Sequence, residues 1–149
     1  MREFQAHVTV ATVVEKAGRY LLVEEIDKQS GNIVYNQPAG HLEANESLQE
    51  AALRETLEET GWEVALSACL GVALYSAPNG ITYCRTTFLA EALSQRQDAE
   101  LDPDIIRPHW LEYEEIVALS AKMRSPLVIK AIEQHRSGHC YPLDFIYSE

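Results

Sequence analysis

Basic residues are scarce: 12 lysines and arginines stand against 23 aspartates and glutamates, a formal net charge of −11. A surface of that sign repels the nucleic acid backbone and anionic membrane, so neither is expected as a partner. A small anionic ligand is not excluded, provided a cation stands between it and the carboxylates. Cysteine is scarce too. Cys69, Cys84 and Cys140 are odd in number, widely spaced and form no Cys-x-x-Cys clip. They cannot pair completely, and a reducing, cytoplasmic setting is expected. No apolar run approaches the roughly 18 residues of a membrane span. The opening stretch MREFQAHVTV lacks the long apolar segment of a secretory leader. Gly-x-Gly-x-x-Gly and Gly-x4-Gly-Lys-Ser/Thr are also missing, which removes the usual phosphate-cradling loops. No repeat, low-complexity tract or linker interrupts the 149 residues, a length that suits a single domain over 1–149.

What is present is a mixed pattern. HVTVATVV (7–14) is β-branched and apolar and predicts a buried strand, with YLLVEE (20–25) returning as its hairpin partner. YNQPAGH (35–41) predicts a loop, because it carries Pro38 and Gly40. Residues 46–60 predict a helix with Asn45 as N-cap and Gly61 just past its end. Two strands follow, in ALSACLGVALYS (65–76) and GITYCRTTFLAEAL (80–93), with a turn at APNG. After a polar loop (94–104), HWL predicts a short strand and YEEIVALSA a helix. Ser125 and Pro126 mark the N-cap and first position of a last helix. The segment YPLDFIYSE fits no element. Strand following strand, with helices between and after, predicts an α/β (α+β) fold with a mixed or mainly antiparallel sheet between helical layers.

The segment Gly40–Trp62 concentrates six glutamates and one arginine. Like charges on adjacent helical turns repel, so the crowding needs a reason. Advancing about 100° per residue from Leu48 puts Ala52, Leu53, Thr56 and Leu57 on a core-facing stripe. Glu55, Glu58 and Glu59 then share the face beside it, Arg54 stands one turn before Glu58, and Glu46 falls on the far side. Glu-x-x-Glu-Glu alone is common on solvated helix faces. Three converging carboxylates, however, also suit a hard divalent cation such as Mg²⁺, which takes oxygen ligands and completes its shell with water and substrate phosphate.

The wider spacing is Gly40-x5-Glu46-x7-Arg54-Glu55-x2-Glu58-Glu59-x-Gly61, with Thr56 and Trp62 at the places of two bulky apolar residues. This resembles the box of the Nudix hydrolase family at all seven specified positions, with Thr56 a mild departure. The flanks extend the likeness: the early strand, the Pro38-Ala39-Gly40 entry and HWLEYEEI. YNQPAGHLEANESL, RSPLV and YPL are similar to the family's NudJ-type phosphatases. The resemblance implies a Nudix-type mixed sheet sandwiched between helices. It further implies divalent-metal-dependent hydrolysis of a diphosphate linked to an organic group, with Mg²⁺ as cofactor and Mn²⁺ as a substitute.

Carried onto this chain, the resemblance makes Glu55 and Glu59 metal ligands, Glu58 a further ligand or water-orienter, Arg54 the orienting partner and the Ala39 carbonyl a ligand. Glu58 is a candidate to accept the water's proton; an acid of the QDAELDPD loop, such as Glu100 or Asp104, is another. Candidate substrate contacts are Tyr35, which would stack on a ring or merely pack, and Gln37, which would bond substrate or close its loop. His41 would touch a phosphate or steady its loop, and Arg85 would meet a phosphate. His7 reads as a core histidine or as part of the cleft wall. The expected activity is phosphate release from nucleoside di- or triphosphates and thiamine-pathway pyrophosphates. The alternatives are a dinucleoside-polyphosphate or ADP-ribose type pyrophosphatase, and a noncatalytic nucleotide sensor. The expected partner is the small-molecule substrate alone, to a monomer or homodimer.

Overall fold

In a computed structural model, residues 3–149 are described; Met1 and Arg2, which open the stretch read as too polar for a leader, lie outside them. Eleven residues of alternating β-branched character form β1 (Ala6–Lys16), and Gly18, at φ 79°, turns the chain into β2 (Arg19–Ile26). The stretch read as loop is instead two short strands, β3 (Ile33–Asn36) and β4 (Ala39–His41). Pro38 sits between them and its carbonyl still accepts from the Thr12 N–H at 3.0 Å. Proline thus interrupts the strand without removing it from the ladder, because only its missing N–H is lost. Next come α1 (Leu48–Thr60), β5 (Trp62–Ser76), β6 (Thr82–Gln95), β7 (Ile105–Glu112), α2 (Tyr113–Ala118) and α3 (Leu127–Arg136). HWL is therefore the end of an eight-residue strand, and the predicted helix after it splits into α2 and a 3₁₀ turn at Ser120–Lys122.

The seven strands form a mixed sheet in the order β3-β2-β1-β6-β5, with β4 added to β1 and β7 to β2. β1 and β6 run parallel over nine residue pairs, Ala6↔Thr82 to Val14↔Ala90, and the other pairings are antiparallel. Alternation along β1 divides the core. Val10 faces α1 with Ala51, Ala52, Cys69 and Phe88. Val13 faces α2 and α3 with Leu22, Leu70, Ile116, Val128 and Ile132. The sheet is thus sandwiched between helices. Among the described residues no helix is long and apolar enough to cross a membrane.

YPLDFIYSE, unplaced from sequence, has a defined position. Tyr141 exchanges two 2.8 Å backbone hydrogen bonds with Cys69 of β5, and Leu143–Phe145 forms a 3₁₀ turn. Leu143 and Ile146 pack on the α1-side core, and Gln49 Nε2 donates to the Ile146 carbonyl at 3.0 Å.

α1 begins two residues later than its sequence suggests. Ser47, not Asn45, is the N-cap: Ser47 Oγ accepts from the Glu50 N–H and Glu50 Oε1 accepts from the Ser47 N–H, at 3.1 and 3.0 Å. Asn45 takes a left-handed conformation (φ 66°) in the turn before it, which asparagine tolerates better than most residues. Gly61 ends the helix at φ 77° as expected, its N–H on the Leu57 carbonyl. Pro126 rather than Ser125 is the residue preceding α3, although Ser125 Oγ still accepts from the Leu127 N–H at 3.2 Å. Because the reciprocal Ser47–Glu50 pair satisfies two amides at the start of α1, Ser47→Ala should destabilise the protein by about 1 kcal/mol. Urea unfolding checks this: the midpoint should fall with the denaturant slope unchanged.

Candidate active site

The buried face of α1 keeps Ala52 and Thr56 of the expected stripe but is turned away from Leu53. Ala51, Ala52, Thr56, Glu59 and Thr60 are buried, whereas Leu53 is exposed. The contradiction has a polar cause. Thr56 Oγ1 donates to the Ala52 carbonyl at 2.7 Å and pairs with Thr12 Oγ1 on β1 at 2.8 Å. This threonine replaces a bulky apolar residue by satisfying its hydroxyl inside the sheet–helix contact. The rotation puts Glu59 on the buried side, only 8% exposed, where Oε1 accepts from the Ala39 N–H at 2.8 Å.

Ala39 is at a position that leaves its backbone free. Pro38 and Leu42 bond to β1 through Thr12 and Val8. Two-residue alternation then turns the Ala39 N–H and C=O to the other edge, toward Glu59. Its φ is not positive, so the side chain is unstrained. Gly40, next in line, has no room for a side chain: a Cβ there would overlap the Glu55 carboxylate. A side chain at the box glycine would therefore displace the Glu55 carboxylate from this position.

Arg54 gathers the acids. It grips Glu46 through Nε and Nη2 at 3.0 and 2.7 Å, Glu55 and Glu58 through Nη1 at 2.8 and 3.1 Å, and the His41 carbonyl through Nη2 at 3.1 Å. Glu46 is not on the far side of the helix; it precedes the helix and folds back onto Arg54, which holds its carboxyl below the ordinary range. Glu55, Glu58 and Asp102 each bring an oxygen within 4.8 Å of one another. Glu59 lines the same cleft as Glu55 and Asp102. Burial pushes Glu59 up to about 9 and Glu55 up to about 7, with Arg54 opposing the shift at Glu55. An all-oxygen donor set fits a hard divalent cation.

Asp102 is the acid the sequence did not single out. Its backbone N–H donates to the Glu58 carbonyl at 3.1 Å, which docks the β6–β7 loop against the end of α1. Of the two acids named from that loop, Asp104 lines the cleft but pairs with Lys28 at 3.0 Å, and Glu100 is exposed outside it. Only the acidic character of the loop was a signal; which acid faces α1 depends on contacts across the chain.

Glu55, Glu59 and Asp102 line a cleft of about 600 Å³ whose other lining includes Arg85, Arg124, His41, Tyr75 and Tyr83. Arg124 was not foreseen; it pairs with buried Glu25 at 2.7 Å and reaches Asp27 at 3.8 Å. His41 Nε2 lies 3.1 Å from Nδ1 of His7, and His7 meets Tyr83 edge-on. His7 is therefore a half-buried partner beside the cleft rather than a core histidine. Burial, the His7 ring and Arg124 lower the His41 pKa.

Two sequence-named contacts are displaced. Tyr35 packs with the α2–α3 core and beside His109, outside the cleft, because its strand register turns it to that face. Gln37 is buried with both ends of its amide engaged: Nε2 donates to the Val128 carbonyl at 2.7 Å and Oε1 accepts from Arg85 Nη2 at 2.6 Å. It positions Arg85 rather than facing the cleft. Tyr75 and Tyr83 are the aromatics that do face it.

The fold and the acidic cleft match a known family. The profile of the NUDIX domain covers residues 3–132. This chain belongs to the Nudix family and is a Nudix hydrolase. It is 41% identical to Phosphatase NudJ of Escherichia coli K12 over 143 residues, 96% of this chain and 92% of that protein. A solved NUDIX hydrolase from Nitrosomonas europaea superposes with a TM-score of 0.94 at 42% identity, covering 97% of this chain and 98% of that one. A MutT protein from Methanosarcina mazei, at TM-score 0.74 and 18% identity over 93% of this chain and 99% of that one, shares the fold.

The buried acids set a pH dependence. Folding raises both values, so the folded chain binds more protons than the unfolded one. The associated stability is full below the ordinary carboxylate range and is lost as pH rises through about 7 for Glu55 and about 9 for Glu59. The metal-free protein should therefore lose thermal stability from about pH 5 to pH 9. Added Mg²⁺ should offset the loss, most at the alkaline end. Unfolding midpoints against pH, with chelator and with Mg²⁺, check this, and Glu59→Gln should flatten the metal-free slope.

Proposed function

We propose that this protein is a NudJ-like phosphohydrolase. It uses Mg²⁺, with Mn²⁺ as a substitute, to release phosphate from nucleoside di- or triphosphates and thiamine-pathway pyrophosphates. The observation that carries this reading is the convergence of Glu55, Glu58 and Asp102, of which Glu55 and Asp102 line a cleft together with Arg85 and Arg124. Glu55, Glu58, Glu59 and the Ala39 carbonyl are the ligands we assign to the cation. When bound, a divalent cation supplies the charge that neutralises phosphoryl oxygens and acidifies water. Glu58 accepts the proton of the attacking water, and Arg54 positions Glu58 and Glu55 by holding both carboxylates with one nitrogen. Asp102, within the same cluster, is the second group that can take that proton.

The complete acid set supports an enzyme over a noncatalytic sensor. The NudJ identity supports a phosphatase over a pyrophosphatase. The chain is read as one domain over 1–149, supported by the packing of Leu143 and Ile146 on the α1-side core. A cytoplasmic setting is supported by the three free cysteines, of which Cys140 is exposed.

Activity should vanish after dialysis against chelator and return with Mg²⁺. Glu59→Gln keeps the oxygen that accepts from Ala39 and should fold normally while losing at least roughly a hundredfold in kcat, about 2.7 kcal/mol of barrier. Undiminished turnover in chelator would remove the metal from the reaction.

The bond cut can be read directly from GTP hydrolysed in ¹⁸O-water. GDP and labelled orthophosphate are the expected products, by mass spectrometry and phosphorus NMR. GMP with pyrophosphate as the first product would move the protein to the pyrophosphatases.

A further inference from the structure

The cleft has few donors to spare for an anion. Lys28 is paired with Asp104 at 3.0 Å and Arg124 with Glu25 at 2.7 Å. Arg85 Nη2 is bonded to the side-chain oxygens of Asn36 and Gln37, its Nε unpartnered. His41 lines the same cleft and is held in another way. Its backbone pairs with Thr9 of β1, and its carbonyl accepts from Arg54 Nη2 at 3.1 Å. The guanidinium that grips Glu55 and Glu58 thus also anchors the residue that carries this ring.

The ring itself is fixed from β1. His7 stands two residues before Thr9, on the same face of the strand, and its Nδ1 is 3.1 Å from His41 Nε2. Tyr83, opposite His7 in the parallel β1–β6 ladder, meets the His7 ring edge-on with centroids 5.7 Å apart. Asn79 Nδ2 donates to the Tyr83 hydroxyl at 3.2 Å, which ties that ring to the β5–β6 turn. His7 is half-buried and is not part of the cleft wall. Where two neutral imidazoles share a hydrogen bond, one nitrogen donates and the other accepts. The bond therefore couples the tautomers of the two rings. With the proton on His7 Nδ1, His41 Nε2 is bare and the His41 proton sits on Nδ1. That nitrogen has no hydrogen-bond partner among the described residues.

We propose that His7 is a positioning residue: it holds the His41 ring in the Nδ1–H tautomer, and His41 Nδ1–H donates to a phosphoryl oxygen of the substrate in the acidic cleft. The opposite tautomer would turn a lone pair toward the anion and oppose its binding. This rests on the hydrolase reading above and adds the histidine pair to phosphate binding, apart from the residues assigned to the cation.

His41→Gln puts an amide near the place of Nε2, so the contact with His7 survives while Nδ1 is lost. His7→Leu leaves His41 intact and removes its donor, and His7→Asn puts an amide near the place of Nδ1 and restores it. Binding of tripolyphosphate in the presence of Mg²⁺, read by calorimetry, should weaken roughly tenfold in His41→Gln and His7→Leu, the scale of one hydrogen bond to a charged group. His7→Asn should recover to within about threefold of wild type. KM for GTP should rise in step while kcat and the half-activating Mg²⁺ concentration stay within about twofold, the signature of lost binding common to ground and transition states. Unchanged tripolyphosphate affinity in His41→Gln, or a His7→Asn variant no better than His7→Leu, would overturn the assignment. So would a fall in kcat with a higher Mg²⁺ requirement, which would mean that the pair only steadies β4. ¹⁵N NMR of the ring nitrogens at mildly alkaline pH should show His41 protonated at Nδ1; protonation at Nε2 would overturn the tautomer. A wild-type protein that shows these tripolyphosphate effects and is inert toward GTP with Mg²⁺ would instead defeat the hydrolase reading.

Discussion

One guanidinium makes the acidic site buildable. Glu46, Glu55 and Glu58 would repel one another if brought together alone, and each is within hydrogen-bonding distance of Arg54. Because Glu46 precedes α1 while the other two lie on it, the same cation ties the entry loop to the helix. Its bond to the His41 carbonyl adds β4 to that unit. Loop, strand and helix are thus fixed around a charge centre, and Gly40 fits against Glu55 because no Cβ intervenes. A planar fork with five donors can do this; an ammonium on a flexible stem would not hold the same geometry.

Glu59 is held by a different means. It has a backbone amide, Ala39 N–H, and burial on the sheet side of the helix. Burial disfavours its ionised form and raises its pKa. Two carboxylates four residues apart on one helix therefore differ: Glu55 is paired with a guanidinium of the chain, and Glu59 with a backbone amide.

The family box was legible because its interactions are local. Gly40, Glu46, Arg54, Glu55, Glu58, Glu59 and Gly61 fall within one loop–strand–helix unit, and their spacing carries the geometry. Strand and helix types were legible from β-branched runs and caps. What escaped notice depends on contacts distant in sequence. The true burial face of α1 is set by the Thr12–Thr56 hydroxyl pair across 44 residues. Asp102 reaches Glu58 only after β5 and β6 have formed, and Tyr35 and Gln37 turn away from the cleft through pairing of β3 with β2 and the contact with α3. Asn45 misled because its side chain suits both an N-cap and the left-handed turn it makes here.

The attachment of Tyr141 to Cys69 matters for the outer rim of the sheet. β5 ends the strand order, so one side of it faces no other strand of the sheet. Its long run carries exposed Val72 and Leu74. A rim of that kind invites pairing with another chain. Tyr141 closes the ladder at the bulge where β5 bends, and the 3₁₀ turn after it leads the backbone away instead of extending the strand. The segment acts as a stopper: it fills the amide and carbonyl of Cys69 from within the molecule and interrupts the flat template on which a second copy would have to zip.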